Sequence, residues 1–392
     1  MDATVRGDRR WQRVLVLAAA VGFVETVLFA ALAPLLPELE DDLDLSKVGA
    51  GALTSAYAVG AFLGALPSVW VARRLGVKAT VIVGLALLAV SSIAFAYPDS
   101  STIVFIARFG QGLGSAFAYT GALAWLTTVA PPARRAEAIG MVFAAAFSGA
   151  LVGPLLGATA DSIGTEAVFA GVALVAVALA AVAALGSGPA VDAGSTGSLL
   201  VLAREPGVRL GVWLIVLVGL LLGVIGVLAP LRLDELGWGA LGIGLVFALG
   251  GVLQAVVNPV AGRAADRRGR IAPLRVGLLG SAIASGLLVL DGNAAVYAAL
   301  AVCAAVGYGA LWTPATALLV DSVEHRGLDR AAGFGLMSAA WPPGFAIGAA
   351  AGAAIAAATG DAVPYLLGAA TCVVTLPLLR SLGGAPRGQA RS

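Results

Sequence analysis

Twelve stretches of mostly apolar residues fill nearly the whole chain, and each has the length, about 20 residues, that a helix needs to cross a bilayer. They lie near residues 12–36, 47–72, 79–97, 102–129, 138–161, 167–185, 209–231, 240–265, 273–291, 294–320, 332–358 and 363–380. We number them spans 1 to 12. The joins "PDSS" (98–101), "DGN" (291–293) and "TGDA" (359–362) barely turn the chain, so consecutive spans are expected to be antiparallel neighbours. Only 12% of the residues are charged and 60% are hydrophobic, too little charge to cover a water-soluble surface. The expected fold is therefore an all-α membrane protein. The apolar run after Arg13 is longer than the apolar core of a signal peptide, about 7–15 residues, and is expected to be a retained span.

Basic residues set the expected orientation. When loops are counted alternately from the amino terminus, 21 of the 24 Lys and Arg residues fall on one side. Lys47 and Arg232 fall on the other, and Arg108 lies inside a span. This places both termini in the cytoplasm. The longest polar stretch, "GSGPAVDAGSTGS" (186–198), continues to about Val208. It reads as a flexible linker over 186–208, between a six-helix bundle over 1–185 and a second over 209–392. The two halves repeat weakly. Gly149, Gly153 and Gly157 of span 5 recur 195 residues later as Gly344, Gly348 and Gly352 of span 11. Gly112 and Gly114 recur as Gly307 and Gly309 at the same offset. Two six-helix repeats around a midplane site form a common layout among secondary transporters.

Several functions are excluded. His325 is the only histidine, and Cys303 and Cys372 sit in separate apolar runs, so no metal-ligand or redox spacing exists. The two lysines, Lys47 and Lys78, follow Ser46 and Val77, so there is no Gly-Lys-[Ser/Thr] phosphate loop. No enzymatic activity, cofactor, metal or nucleic-acid partner is expected.

The stretch "AGRAADRRGRI" (261–271) concentrates five charges in a chain poor in them. Gly262, Asp266, Arg267, Gly269 and Arg270 follow G-x-x-x-D-R-x-G-R, with Ile271 departing at the last position. In this, the chain resembles the major facilitator superfamily, which carries that motif between spans 2 and 3 and often again between spans 8 and 9. Gly269 permits a tight turn. Asp266 is expected to latch onto the electropositive start of span 5 near Glu137, while a role for the arginines in topology alone stays open. The first copy, "VWVARRLGVK" (69–78), has Arg73 at the aspartate position, where it could meet Glu324 or Asp329 or serve only as a topological cation.

Span 4 reads "RFGQGLGSA" (108–116), in which Arg108, Gln111, Gly112, Gly114 and Ala116 are similar to the family's R-x-x-Q-G-x-G-x-A. The resemblance implies a role for Arg108 in proton coupling; the alternative is snorkelling to the membrane surface. Glu25 is the only carboxylate clearly at membrane depth. Desolvation raises a carboxyl pKa and a nearby arginine lowers it, so such a group can titrate near neutral pH. A glutamate bonded between helices without a proton-carrying role is the other reading. The family resemblance implies that Glu25 and Arg108 share a central cavity. Span 5 places Gly140, Gly149, Gly153, Pro154 and Gly157 in a pattern similar to that of the superfamily's antiporters, with Ala158 at its last glycine position. That face is expected to pack on span 8 and help gate the cavity, unless it is generic small-residue packing. Bulky or polar residues at mid-span complete the expected substrate cavity. They are Tyr57, Tyr119, Phe143, Phe147, Gln254, Asn258, Tyr308, Trp312, Met337 and Trp341, together with Gln111.

The resemblance thus implies a proton-coupled secondary transporter with two pseudo-symmetric bundles, exporting small amphipathic or drug-like molecules. A proton-coupled importer of a sugar or organic anion is the alternative, and a non-transporting receptor or structural bundle a second. The expected partners are a small-molecule substrate, protons and the lipid bilayer. A monomer in a prokaryotic plasma membrane is expected, the latter from the bias of arginine over lysine.

Overall fold

The computed structural model describes residues 2–98, 100–186, 188, 205–290, 292–326 and 330–379, and among these the chain is helix and turn with no strand. Nine of the described helices are long and apolar enough to cross a membrane. Three more complete the twelve: Ser101–Val129, Ile271–Leu287 and Ala362–Leu378. Ser101–Val129 is the span that carries Arg108 and Gln111. Within the linker, residues 187 and 189–204 lie outside the described residues. Span 7 begins at Pro206 and runs to Glu235, longer than expected at both ends.

Two spans are broken rather than continuous. Span 1 runs Asp2–Ala30 and resumes as Leu32–Asp42, and span 10 runs Ala294–Ala310 and resumes as Trp312–Glu324. One cause serves both. Pro34 and Pro314 stand four residues after Ala30 and Ala310. A proline has no N–H to offer the carbonyl four residues back, and its ring crowds that carbonyl.

By the density of internal contacts the chain divides into two units. One is Met1–Gly194 with Pro230–Gly251, and the other is Ser195–Ala229 with Val252–Ser392. The end of span 7 and the start of span 8 therefore belong with the first unit. Gly244 lies against Pro154 and Ala158, Gly251 lies against Leu151, and Lys47 approaches Glu235 at 3.9 Å.

Glycine faces hold each unit together. In the first, Gly149, Gly153 and Gly157 of span 5 lie against the carbonyls of Phe23, Val27 and Ala31 in span 1. In the second, Gly344 and Gly348 of span 11 lie against the carbonyls of Val216 and Leu220 in span 7, and Gly352 lies against Val224. The repeat seen in the sequence is thus a repeat of packing. It also corrects the expected partner of the span 5 glycines, which is span 1 and not span 8. Pro154 and Ala158, on another side of span 5, are what span 8 meets. Small residues let two helix backbones approach closely, and nothing in the stripe itself selects which helix comes.

A half-buried acid sits in the last turn of Leu32–Asp42, past the apolar run that ends near Leu36. Burial pushes the Glu40 carboxyl above the usual carboxylate range, Lys47 pulls it back, and Asp41 and Glu235 push it up again. The folded chain then holds this proton more tightly than the unfolded chain. Its contribution favours folding at low pH and is lost as pH rises from the unfolded to the folded value. Glu40→Gln should therefore raise the melting temperature modestly at neutral pH and flatten its fall with rising pH, as measured by thermal unfolding in detergent.

Candidate functional site

Arg108, Gln111 and Ser115 stand at i, i+3 and i+7 on span 4 and so share one helix face. Two close helix crossings carry partners to that face. Gly60 and Gly112 bring spans 2 and 4 into backbone contact, and a methyl on Gly112 would overlap the Tyr57 carbonyl oxygen. Gly84 and Gly114 do the same for spans 3 and 4. Tyr57 of span 2, and Ser92 and Phe95 of span 3, thereby reach the Arg108 face.

The Arg108 guanidinium is 1% exposed, which settles against snorkelling. Its Nη1 donates to the Leu28 carbonyl at 3.1 Å and to Gln111 Oε1 at 2.9 Å. Gln111 Nε2 in turn donates to Ser92 Oγ at 3.4 Å. The guanidinium carbon lies 5.0 Å from the centre of the Tyr57 ring and 6.0 Å from that of Phe95. Such cation–π contacts contribute up to about 2 kcal/mol each when desolvated. Arg108 Nε is buried without a partner. Among the described residues no carboxylate pairs with this cation, and its surroundings are neutral dipoles and aromatic faces.

Glu25 belongs to the same cluster by another route. Its carboxylate oxygen accepts a short hydrogen bond from Ser115 Oγ, and the Tyr57 hydroxyl donates to its backbone carbonyl at 3.2 Å. Tyr119, one turn beyond Ser115, packs against Gly22, and its ring meets Phe143 edge-on at 6.4 Å. The acid and the cation thus share Tyr57 as a neighbour, and no ion pair joins them.

At the expected gate, Asp266, in the last turn of span 8, accepts from Arg270, four residues on. Arg270 Nε also donates to Asp321 of span 10 at 2.8 Å. These bonds, that to Asp321 first, hold the guanidinium above its usual pKa and so fully charged. Gly269 turns the chain with φ +79°. Arg267 and Arg73 are exposed, and Asp329 lies outside the described residues.

Among the described residues, the second unit shows no counterpart of the charged cluster. At the 195-residue offset, Glu25, Arg108 and Ser115 correspond to Leu220, Cys303 and Ala310. The polar groups there are neutral. Tyr308 bonds Ser285 at 2.7 Å, and Gln254 covers Gly309 so closely that a methyl there would strike its carboxamide. Asn258 Oδ1 is buried without a partner. Met337 is buried and accepts from Thr316 at 3.4 Å, and Trp341 stacks with Phe345 at 5.1 Å. Trp312 is partly buried at the start of the second segment of span 10, and Phe147 of the first unit is 48% exposed.

The sequence profile of the Major Facilitator Superfamily matches residues 18–206 and 211–391. The chain belongs to the major facilitator superfamily. It is a multi-span membrane protein of that superfamily. Among curated relatives, it is 30% identical over 171 residues to the MFS-type transporter ppzB of Metarhizium rileyi, covering 41% of this chain and 35% of that one. It is 27% identical over 125 residues to multidrug resistance protein 1 of Bacillus subtilis, covering 32% of each. The matched region thus spans about a third of these relatives. The crystal structure of a D-xylose-proton symporter superposes with a TM-score of 0.78 at 15% identity, covering 94% of this transporter and 97% of that chain. At that identity the likeness establishes the fold.

Three functional candidates went unread in the sequence. Ser115 was legible, because it continues the face of Arg108 and Gln111 by one more turn. Asp321 carried no local signal, since it meets Arg270 from 51 residues away. The Leu28 carbonyl carried none, because it is a backbone atom chosen by a helix crossing.

Proposed function

We propose that this transporter is a proton-coupled exporter of small amphipathic or drug-like molecules, working by alternating access between six-span halves at 1–185 and 209–392. The observation that carries the reading is the Glu25 carboxyl, held by Ser115 of span 4 in the middle of an apolar span, on the helix face that also carries Arg108. Ionisable groups at such depth are costly and mark ion or proton pathways. Protonating Glu25 changes the net charge of the cluster, which biases any equilibrium between states that solvate it differently. Export draws support from the partial identity to a multidrug resistance protein and from the antiporter-like glycines of span 5. The orientation by basic residues supports cytoplasmic termini in a plasma membrane, and a monomer suffices for this scheme.

The test is transport in proteoliposomes under an imposed pH gradient, with a compound panel screened in both directions. Substrate movement against the proton flow is expected. Uptake driven by inward proton flow would assign the chain to the symporters instead.

We also propose that Arg270 ties the loop after span 8 to span 10, so that both move as one body. Asp321→Asn should lower transport several-fold, and Asp266→Asn should lower it less, because the Asp266 carboxylate is more exposed, at 70% against 37%. Arg73→Ala should matter least. Equal initial rates for Asp266→Asn and Arg73→Ala at matched membrane levels would leave the loop a purely topological role.

A further inference from the structure

Arg108 binds the Leu28 carbonyl, one helical turn on from Glu25 in span 1. An acid and a guanidinium placed so in a low-dielectric interior can close into an ion pair, because the attraction is strong there and each charge alone is costly. In this transporter they do not, and one side chain accounts for it. Tyr57 presents its ring to the Arg108 guanidinium at 5.0 Å. The same residue's hydroxyl donates to the backbone carbonyl of Glu25 at 3.2 Å. A second aromatic, Phe29, braces that ring at 5.4 Å. The spans 2 and 4 crossing leaves the Tyr57 backbone no room to move, since its carbonyl lies on Gly112. Both ends of the ring are thus fixed.

We infer that Tyr57 is a positioning residue that partitions the two charges: its ring takes the face of the guanidinium, its hydroxyl is tethered to the Glu25 turn, and the Glu25 carboxyl is left to Ser115. The inference rests on the proposed role of Glu25 as proton carrier and adds the reason that the carrier can exchange its proton. A carboxylate locked in an ion pair would resist protonation. The cation is held on the ring face of Tyr57 and does not capture the acid. The titratable groups that face Glu25 are Tyr57 from span 2 and Tyr119 from span 4, and the nearest cation on span 4, Arg108, is bound one turn further along span 1 at the Leu28 carbonyl. Span 5 presents Val142 and Ala146 near this turn, with no charge.

The test is a pH titration of the purified full-length transporter by infrared difference spectroscopy, which needs no substrate. The Glu25 carboxyl band is identified by its loss in Glu25→Gln. In Tyr57→Leu the partition is gone and Arg108 can reach the acid, so the midpoint of that band should move to lower pH by about one unit or more. Adding Arg108→Gln to Tyr57→Leu should reverse the shift, which a merely structural effect of the leucine would not do. Tyr57→Phe keeps the ring and should stay near the native midpoint. A native midpoint in folded Tyr57→Leu, or an equal shift in Tyr57→Phe, overturns the inference. Should Tyr57→Leu not fold, Tyr57→Met replaces it in the same titration. If no band is lost in Glu25→Gln, the proton-carrier reading itself fails.

Discussion

Glu25→Gln is expected to reduce pH-gradient-driven flux to background while leaving substrate exchange in the absence of a gradient measurable. Glutamine is nearly isosteric with glutamate, and its carboxamide oxygen can still accept from Ser115, so the cluster keeps its shape. What it loses is the proton. A carrier that cannot change charge can still alternate with substrate bound, but its transport is no longer linked to the proton gradient. The measurement compares two assays on the same proteoliposomes: accumulation under an imposed pH gradient, and counterflow at equal pH on both sides. Loss of the first with survival of the second identifies a coupling residue. Loss of both points to misfolding, which size-exclusion chromatography in detergent checks directly. Full retention of driven flux would remove Glu25 from the mechanism.

The second large effect is expected at Gly112. An added methyl there would overlap the carbonyl oxygen of Tyr57 and press on the backbone of Ala61 as well. Both obstacles include main chain in a neighbouring helix, so no side chain can rotate away. Over-packing of this kind typically costs about 1–3 kcal/mol, and more where the backbone must shift. Gly112→Ala should therefore lower the melting temperature sharply and cut the yield of monodisperse protein. The damage should spread to the site, because the same crossing sets Tyr57 against Arg108. Gly140→Ala is the control. Nothing lies within 4 Å of a methyl at that position. Alanine is also the better helix former by about 1 kcal/mol, so Gly140→Ala should be neutral or mildly stabilising. Comparable losses at the two positions would mean that the spans 2 and 4 crossing is not tight.

These contrasts show what a linear reading of the chain reaches. The spans were legible because the bilayer imposes a length and an apolar composition on each. The loop of Asp266 and Arg270, and the Arg108 face, were legible because fixed spacings carry them. The breaks in spans 1 and 10 were encoded in Pro34 and Pro314, yet hidden, since Pro67 and Pro154 lie within helices that continue past them. Whether a proline interrupts a helix depends on whether its neighbours re-satisfy the freed carbonyl. The partner of the span 5 glycines was not legible for a related reason. A stripe without side chains states that something approaches, and only the three-dimensional arrangement states what. Tyr57 was read as one aromatic among several, and its place between two charges emerges only when three helices meet.

The glycine packing recurs in both units, whereas the Glu25 and Arg108 cluster occurs in one. The packing and the charges thus belong to different layers of the same repeat. The backbone contacts are a shared inheritance that neither copy can abandon without losing its bundle. The charges are confined to one copy: Leu220 and Cys303 stand at the positions of Glu25 and Arg108, and Cys303 is exposed where Arg108 is buried. A chimera made of two second-half repeats would keep its interlocking helices and hold no acid at the depth of Glu25. On the proposed role of Glu25, the ability to fold and the ability to respond to protons are separable properties of this chain. New chemistry can be introduced into the second repeat without redesigning the scaffold that carries it.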